Sequence, residues 1–228
     1  YLNMKNWTDL KWWESGEHQV VCERLDECKY NPKKPYRALT LTPYEKVKVM
    51  FMGQDPYPNP VHATGLAFSI PKDAPDPFPP TLEMIFRELR SNYPEQLPPH
   101  FGDLTPWAKQ GVLLWNVIPT CEQWKSMSHD WPEYHFLTKE IIESLNQKGD
   151  VVFVFCGSVA RRYLGYASNL SICVSHPSPR GMRNSNNPFV GSQVFKHVNS
   201  LLSEPIDWRL YDGHPHTTRT GDPTQEVM

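Results

Sequence analysis

Residues 46 to 57 read KVKVMFMGQDPY. The first part, Lys46 to Met52, is a short segment rich in Val, Met and Phe, about as long as a strand and apolar enough to be buried. The second part stops it. Gly53 allows a tight turn, Gln54 and Asp55 are polar, Pro56 stiffens the chain and Tyr57 presents a ring beside the acid. Three further segments have the same character: Val112 to Val117, Val151 to Cys156 and Leu170 to Ser175. Helical stretches are predicted between and after them, over Thr81 to Asn92, Pro132 to Gln147, Ser158 to Tyr163 and Val190 to Leu202. Pro80 just precedes the first of these, where proline is tolerated, and Ser158 is placed as an N-cap for the third. Proline-rich runs, Asn31 to Pro35, Pro71 to Pro80 and Pro94 to Pro99, are loops. Strands alternating with helices imply an α/β fold, a single-domain three-layer α/β/α arrangement around a central four-stranded, mostly parallel sheet.

The 228 residues carry no composition break that would divide two cores, so residues 1–211 are expected to form one domain. Residues 212–228 form a polar tail with Pro, Thr and His, expected to pack poorly. Lys plus Arg is 23 against 25 Asp plus Glu, a net charge of -2, which makes no global electrostatic case for a nucleic-acid partner. The distribution is less even. Cys156 to Ser203 holds Arg161, Arg162, Arg180, Arg183 and Lys196 with no acid, which suits a phosphate-facing surface, although a solvated face is the commoner origin of such a bias. Five scattered cysteines without a C-x-x-C pair suggest a reducing, intracellular setting, in cytoplasm or nucleus. His18, Cys22 and Cys28 lack a fourth partner and zinc spacing, so no metal and no cofactor is expected. No apolar run reaches the 18 or more residues of a membrane span, so no membrane partner is expected.

In parallel sheets ligands bind beyond the carboxyl ends of the strands, so the residues following each strand should converge. They are Gly53-Gln54-Asp55-Pro56-Tyr57, then Trp115-Asn116, then Cys156-Gly157-Ser158, then Ser175-His176-Pro177-Ser178-Pro179. Each alone has an ordinary reading as a cap, a turn or a solvated loop. Asp, Asn and His at one sheet edge form a plausible site.

Gly53 to Tyr57, Gly111 to Asn116 and His176 to Pro179 stand in the order and approximate spacing of the family 1 uracil-DNA glycosylases, which this chain resembles from about Ala38 to Leu210. Thr64 to Ser69, Pro79 to Leu82 and Gly157-Ser158 also resemble that family's pattern. The resemblance implies a monofunctional enzyme that hydrolyses the N-glycosidic bond of flipped-out deoxyuridine, in single- or double-stranded DNA, and leaves an abasic site. It implies Asp55 and His176 as catalytic residues: Asp55 positions water and steadies the cationic sugar, and His176 donates to uracil O2 as the anion forms. Charge separates in that step, so one carboxylate and one donor suit it. A flipped base needs a stacking face and an edge-reading group, implied here to be Phe68 and Asn116. Asn116 can accept from uracil N3-H and donate to O4, and cytosine inverts that pattern. The resemblance also implies that Tyr57 lies where the thymine methyl would go and that Gln54 is a supporting backbone donor. His176 is expected to act as a neutral donor, because a closed pocket disfavours its charged form. Thr81, Ser158 and Ser178 match hydroxyls that grip flanking phosphates, with a helix cap or turn as the ordinary alternative. A monomer is expected, and a proteinaceous inhibitor at the DNA-binding face.

Three positions depart from the pattern. Proline stands at 58 where the family usually has histidine, arginine at 180 where it usually has a wedge leucine, and glycine at 181 where it usually has a serine. Arg180, helped by Arg183, is expected to fill the space left by the flipped base through its planar head. A catalytically weakened DNA-binding accessory that kept the uracil pocket is the rival reading, and a glycosylase for another base is a third. No four-cysteine set has iron–sulfur cluster spacing, and no lysine is placed by motif for a Schiff base, which points to hydrolysis without strand cleavage.

Overall fold

The computed structural model describes residues 6–75, 77–96, 99–167, 170–183 and 185–210, so the expected tail at 212–228 lies outside the described residues. In chain order the elements are α1 (Glu17–Asp26), β1 (Tyr30–Asn31), α2 (Arg37–Leu41), β2 (Val49–Gly53), α3 (Pro80–Asn92), α4 (Thr105–Lys109), β3 (Val112–Asn116), β4 (Cys121–Glu122), α5 (Pro132–Lys148), β5 (Val152–Cys156), α6 (Gly157–Arg161), β6 (Ser171–Val174), α7 (Pro179–Met182) and α8 (Val194–Leu201). The central sheet has the order β3-β2-β5-β6 with all neighbours parallel. β1 and β4 form a separate antiparallel pair.

Every residue of β2, β3 and β5 is buried. Successive side chains on a strand point to opposite faces, so this pattern requires both faces to be covered. The register identifies the covers. Phe51 pairs with Leu114 and Val154, and its ring stacks on Phe195 of α8 at 6.3 Å. The next row, Met52 with Trp115 and Phe155, faces the other way, and the Trp115 indole donates to Thr138 of α5 at 3.0 Å. α5 is held in turn by the N-terminal segment: the Trp12 indole donates to the Glu133 carbonyl, and the Lys11 and Trp12 amides donate to the Glu140 carboxylate.

The four strands and the long helices fall where the sequence puts them, with shifts at the ends. β2 starts at Val49, because Tyr44–Lys46 forms a 3-10 turn whose last carbonyls lead into the strand. Ser158 is not an N-cap. Gly157 adopts φ +91° and turns the chain immediately after Cys156, so the helix begins one residue earlier and Ser158 sits exposed within its first turn, with no capping bond. α6 also ends at Arg161, giving way to a 3-10 turn at Leu164–Tyr166. α8 begins at Val194, not Val190. Glu88, wholly buried on α3, accepts the amides of Gly191 and Gln193 at 2.5 and 2.6 Å, and Gln193 is left-handed at φ +58°, so helical geometry starts only after it. Pro179 to Met182 is a short helix capped by the Ser178 hydroxyl, which accepts from the Gly181 amide at 3.1 Å. Among the described residues no helix is long and apolar enough to cross a membrane. The five cysteines are unpaired.

Candidate active site

The order β3-β2-β5-β6 reverses direction between β2 and β5: the chain leaves β2 for β3 on one side and returns past it to β5 on the other. A crevice at the carboxyl ends of the strands is therefore expected there. A cavity of about 170 Å³ occupies the place, lined by Gln54, Asp55, Tyr57, Phe68, Asn116 and His176 among others. Sites for drug-sized ligands run to roughly 300–1,000 Å³, so this one suits a single small ring.

Two glycines make the convergence sterically feasible. A Cβ on Gly53 would lie 2.5 Å from Asn116 Oδ1 and 3.0 Å from Phe68 Cζ, so the bare backbone at the end of β2 lets both side chains close over it. At Gly157 a Cβ would lie 2.8 Å from His176 Cβ, and φ there is +91°. The β5 turn and the histidine loop thus pack backbone to side chain.

Phe68 is buried with φ +66°, a conformation unfavourable for an aromatic residue. It is held there from both sides. The Tyr57 hydroxyl donates to the Phe68 carbonyl at 3.0 Å, and the Phe51 ring meets the Phe68 ring edge-on at 6.0 Å. Burial pushes the Tyr57 phenol far above its ordinary range, so it remains a neutral donor. Asn116 is 8 % exposed and lines the cavity. Among the described residues neither its amide nor the His176 ring has a hydrogen-bond partner. Both groups keep some contact with solvent through the cavity mouth, which leaves them open to a ligand there.

Asp55 differs: its carboxylate is fully positioned by the protein. Oδ1 accepts from Gln54 Nε2 at 3.0 Å, and Oδ2 accepts from the Ser126 hydroxyl and the Met127 amide, each at 2.7 Å. Ser126 and Met127 belong to the segment between β4 and α5, which carries none of the quoted motifs. Only a long connection following β3 hinted at it. Pro58, the first departure, contributes through its carbonyl, which accepts from the Asn31 side chain at 2.9 Å and the Trp124 amide at 2.8 Å.

Burial lowers the His176 pKa below its ordinary 6.5, and the Asp55 charge opposes without reversing that shift. A histidine whose folded pKa is depressed favours the fold in its neutral form. That contribution is present above the ordinary histidine range and lost as pH falls through the folded value. An NMR titration of the His176 ring is expected to give a midpoint below 6.5. A ring charged throughout the activity range would contradict a neutral donor.

The other sequence-selected residues divide. Thr81 lines the same cavity. Ser158 and Arg180 line a second groove, of about 440 Å³, which shares His176 with the first and also holds Arg161. Ser178 uses its oxygen as an acceptor in the α7 cap but keeps its proton to donate. Arg183 is exposed at the end of α7, outside both linings.

A switch-point crevice with a positioned carboxylate, an unpaired amide and a neutral imidazole defines an α/β enzyme for a small cyclic ligand. Residues 40–202 match the model of the uracil DNA glycosylase superfamily, and the chain belongs to that family. It is 43 % identical over 190 residues to a uracil-DNA glycosylase of Coxiella burnetii, covering 79 % of this chain and 80 % of that one. With a uracil-DNA glycosylase of Acinetobacter baylyi the identity is 37 % over 224 residues, covering 89 % and 92 %. The crystal structure of mimivirus uracil-DNA glycosylase superposes with a TM-score of 0.77 at 25 % identity, covering 87 % of this chain and 82 % of that one. A variant of the mimivirus protein in complex with UGI has a TM-score of 0.72 at 24 % identity, covering 83 % and 78 %.

Proposed function

We propose that this chain is a monofunctional uracil-DNA glycosylase acting in base excision repair. The observation that carries the reading is the convergence of Gln54, Asp55, Tyr57, Phe68, Asn116 and His176 on one cavity sized for a single ring. The extruded uracil lies against Phe68, Asn116 reads its N3 and O4 edge, and Tyr57 fills the place of a 5-methyl group. As the glycosidic bond breaks, Asp55 holds the attacking water and steadies the positive sugar, while His176 donates to O2 of the departing uracil anion. Water adds at the sugar carbon, its proton is lost, and an abasic sugar remains. Gln54 supports the site from its peptide and through its bond to Asp55.

Around the cavity, Thr81, Ser158 and Ser178 contact the phosphates flanking the lesion, and Arg180, with Arg183 beside it, takes the space the base vacates. Arg180→Ala is then expected to weaken activity on duplex DNA about tenfold more than on single strands, the equivalent of ~1.4 kcal/mol. Equal losses on both would remove the wedge assignment. The catalytic unit spans residues 1–211 as a monomer inside the cell, in cytoplasm or nucleus, with 212–228 as an appended tail. The packing of Trp12 onto α5 supports including the N-terminal segment. A proteinaceous inhibitor at the DNA-binding face belongs to the same reading, prompted by the mimivirus complex.

The test is a uracil-containing oligonucleotide incubated with the protein in EDTA and then heated in alkali. Strand breaks that appear only after alkali are expected. Intact DNA with retained binding would instead favour an accessory that kept the pocket and lost the reaction.

A further inference from the structure

The segment 122–128 does more than hold Asp55. It is bonded at nearly every residue: Glu122 N to the Ser128 hydroxyl at 2.7 Å, Gln123 N to the Lys29 carbonyl at 2.8 Å, Trp124 N to the Pro58 carbonyl at 2.8 Å, and Lys125 N to the Glu122 carbonyl at 3.1 Å. Met127 N completes the series on Asp55. Trp124 and Met127 are both left-handed, at φ +68° and +61°. Non-glycine residues hold that conformation only where the surroundings impose it, and such positions gather at functional sites. The result is a rigid loop that presents the Trp124 indole outward, 70 % exposed.

Its location is specific. Of the exposed large apolar side chains among the described residues, the two most exposed are Trp124 and Val61, at 70 % and 52 %. Both flank the Tyr57-Pro58 segment. Trp124 is one hydrogen bond from Pro58 and two residues from Ser126, and both of those line the cavity. The arginine-bearing groove shares His176 with the cavity, whereas Trp124 belongs to the segment that holds Pro58 and Asp55. Lys125 follows Trp124 in the chain and pairs with Glu122 at 3.3 Å across exposed surface. A pair so exposed contributes little and can be exchanged for a phosphate. The Glu122 carboxylate opposes DNA modestly, which leaves the flat indole, and not charge, as the principal contact.

We infer that Trp124 is a stacking platform for a nucleobase of the uracil-containing strand next to the extruded nucleotide. The inference rests on the glycosylase reading and adds to it a binding residue on the Asp55 side. Every base has a π-face, so the contact holds the strand without selecting sequence. The loop's backbone bonds fix the Trp124 backbone relative to the Asp55 carboxylate, so only the indole rotamer is ordered when the strand arrives.

The test compares wild type, Trp124→Ala and Trp124→Phe on a single-stranded uracil oligonucleotide, with inhibition by free uracil measured in parallel. For Trp124→Ala the KM is expected to rise about tenfold, within the range of base–aromatic stacking losses, with kcat and inhibition by uracil unchanged. Trp124→Phe is expected to recover most of the loss. An unchanged KM overturns the inference, whatever else the indole contacts. So does a lowered kcat, which would mean the substitution acts by moving Asp55, or weakened inhibition by uracil, which would mean it disturbs the base pocket, and so does a phenylalanine variant no better than alanine. Wild-type protein that releases no uracil would instead defeat the glycosylase reading itself.

Discussion

Asp55→Asn is expected to lower kcat for uracil release by about a hundred- to a thousandfold, the scale on which removal of one electrostatic catalytic group is felt, with the melting temperature nearly unchanged. The two side chains have the same shape, and the local bonding can adapt. Oδ1 of the asparagine can still accept from the Ser126 hydroxyl and the Met127 amide, which now meet Oδ2 of Asp55. The new amide nitrogen then faces Gln54, whose own amide can turn to offer oxygen in place of nitrogen. What is lost is the negative charge beneath the sugar. Because stability and DNA affinity are retained, the loss appears in kcat and not in KM, as for an interaction made only in the transition state. A fully active Asp55→Asn protein would show that the carboxylate only organises the loop.

Gly53→Ala is expected to reduce kcat/KM about a hundredfold and to lower the melting temperature. The added methyl would sit 2.5 Å from Asn116 Oδ1 and 3.0 Å from Phe68 Cζ. Neither neighbour can retreat freely. Asn116 ends a fully buried strand in register with Gly53, and Phe68 is already held at positive φ by the Tyr57 hydroxyl. Overpacking of this kind costs about 1–3 kcal/mol, and the same displacement moves the Asn116 amide and the Phe68 ring together. Losing one hydrogen-bonded base contact and its alignment corresponds to about tenfold or more for each ~1.4 kcal/mol. Wild-type activity in this variant would mean that the two side chains are not held at the distances seen here.

Much of this was legible in the sequence because the informative residues sit at strand ends. Val49 to Gly53, Val112 to Trp115 and Val152 to Cys156 carry no charged or amide side chain, and Gln54, Asn116 and, one residue past Gly157, Ser158 follow them and line the cavity or the groove beside it. What was not legible has physical causes. α1 buries only Val21 and Leu25, one helical turn apart, too few positions to set a period. β1 and β4 are two residues each and exist through pairing across about ninety residues of chain. Ser158 looked like a cap because hydroxyl residues favour that place, but the left-handed Gly157 started the helix first. The delayed start of α8 depends on Glu88, a buried acid on a different helix whose bonds reach more than a hundred residues along the chain. Ser126 and Met127 are of the same kind: their bond to Asp55 spans about seventy residues and carries no local pattern.

The most direct measurement is a side-chain NMR titration with free uracil, following the Asn116 amide and the His176 ring nitrogens, with cytosine and thymine as comparisons. Uracil is expected to shift both groups together, at one saturating concentration, while cytosine and thymine leave them in place. Shifts of only one group, or equal responses to all three bases, would contradict a single pocket in which these distant loops jointly recognise and release uracil.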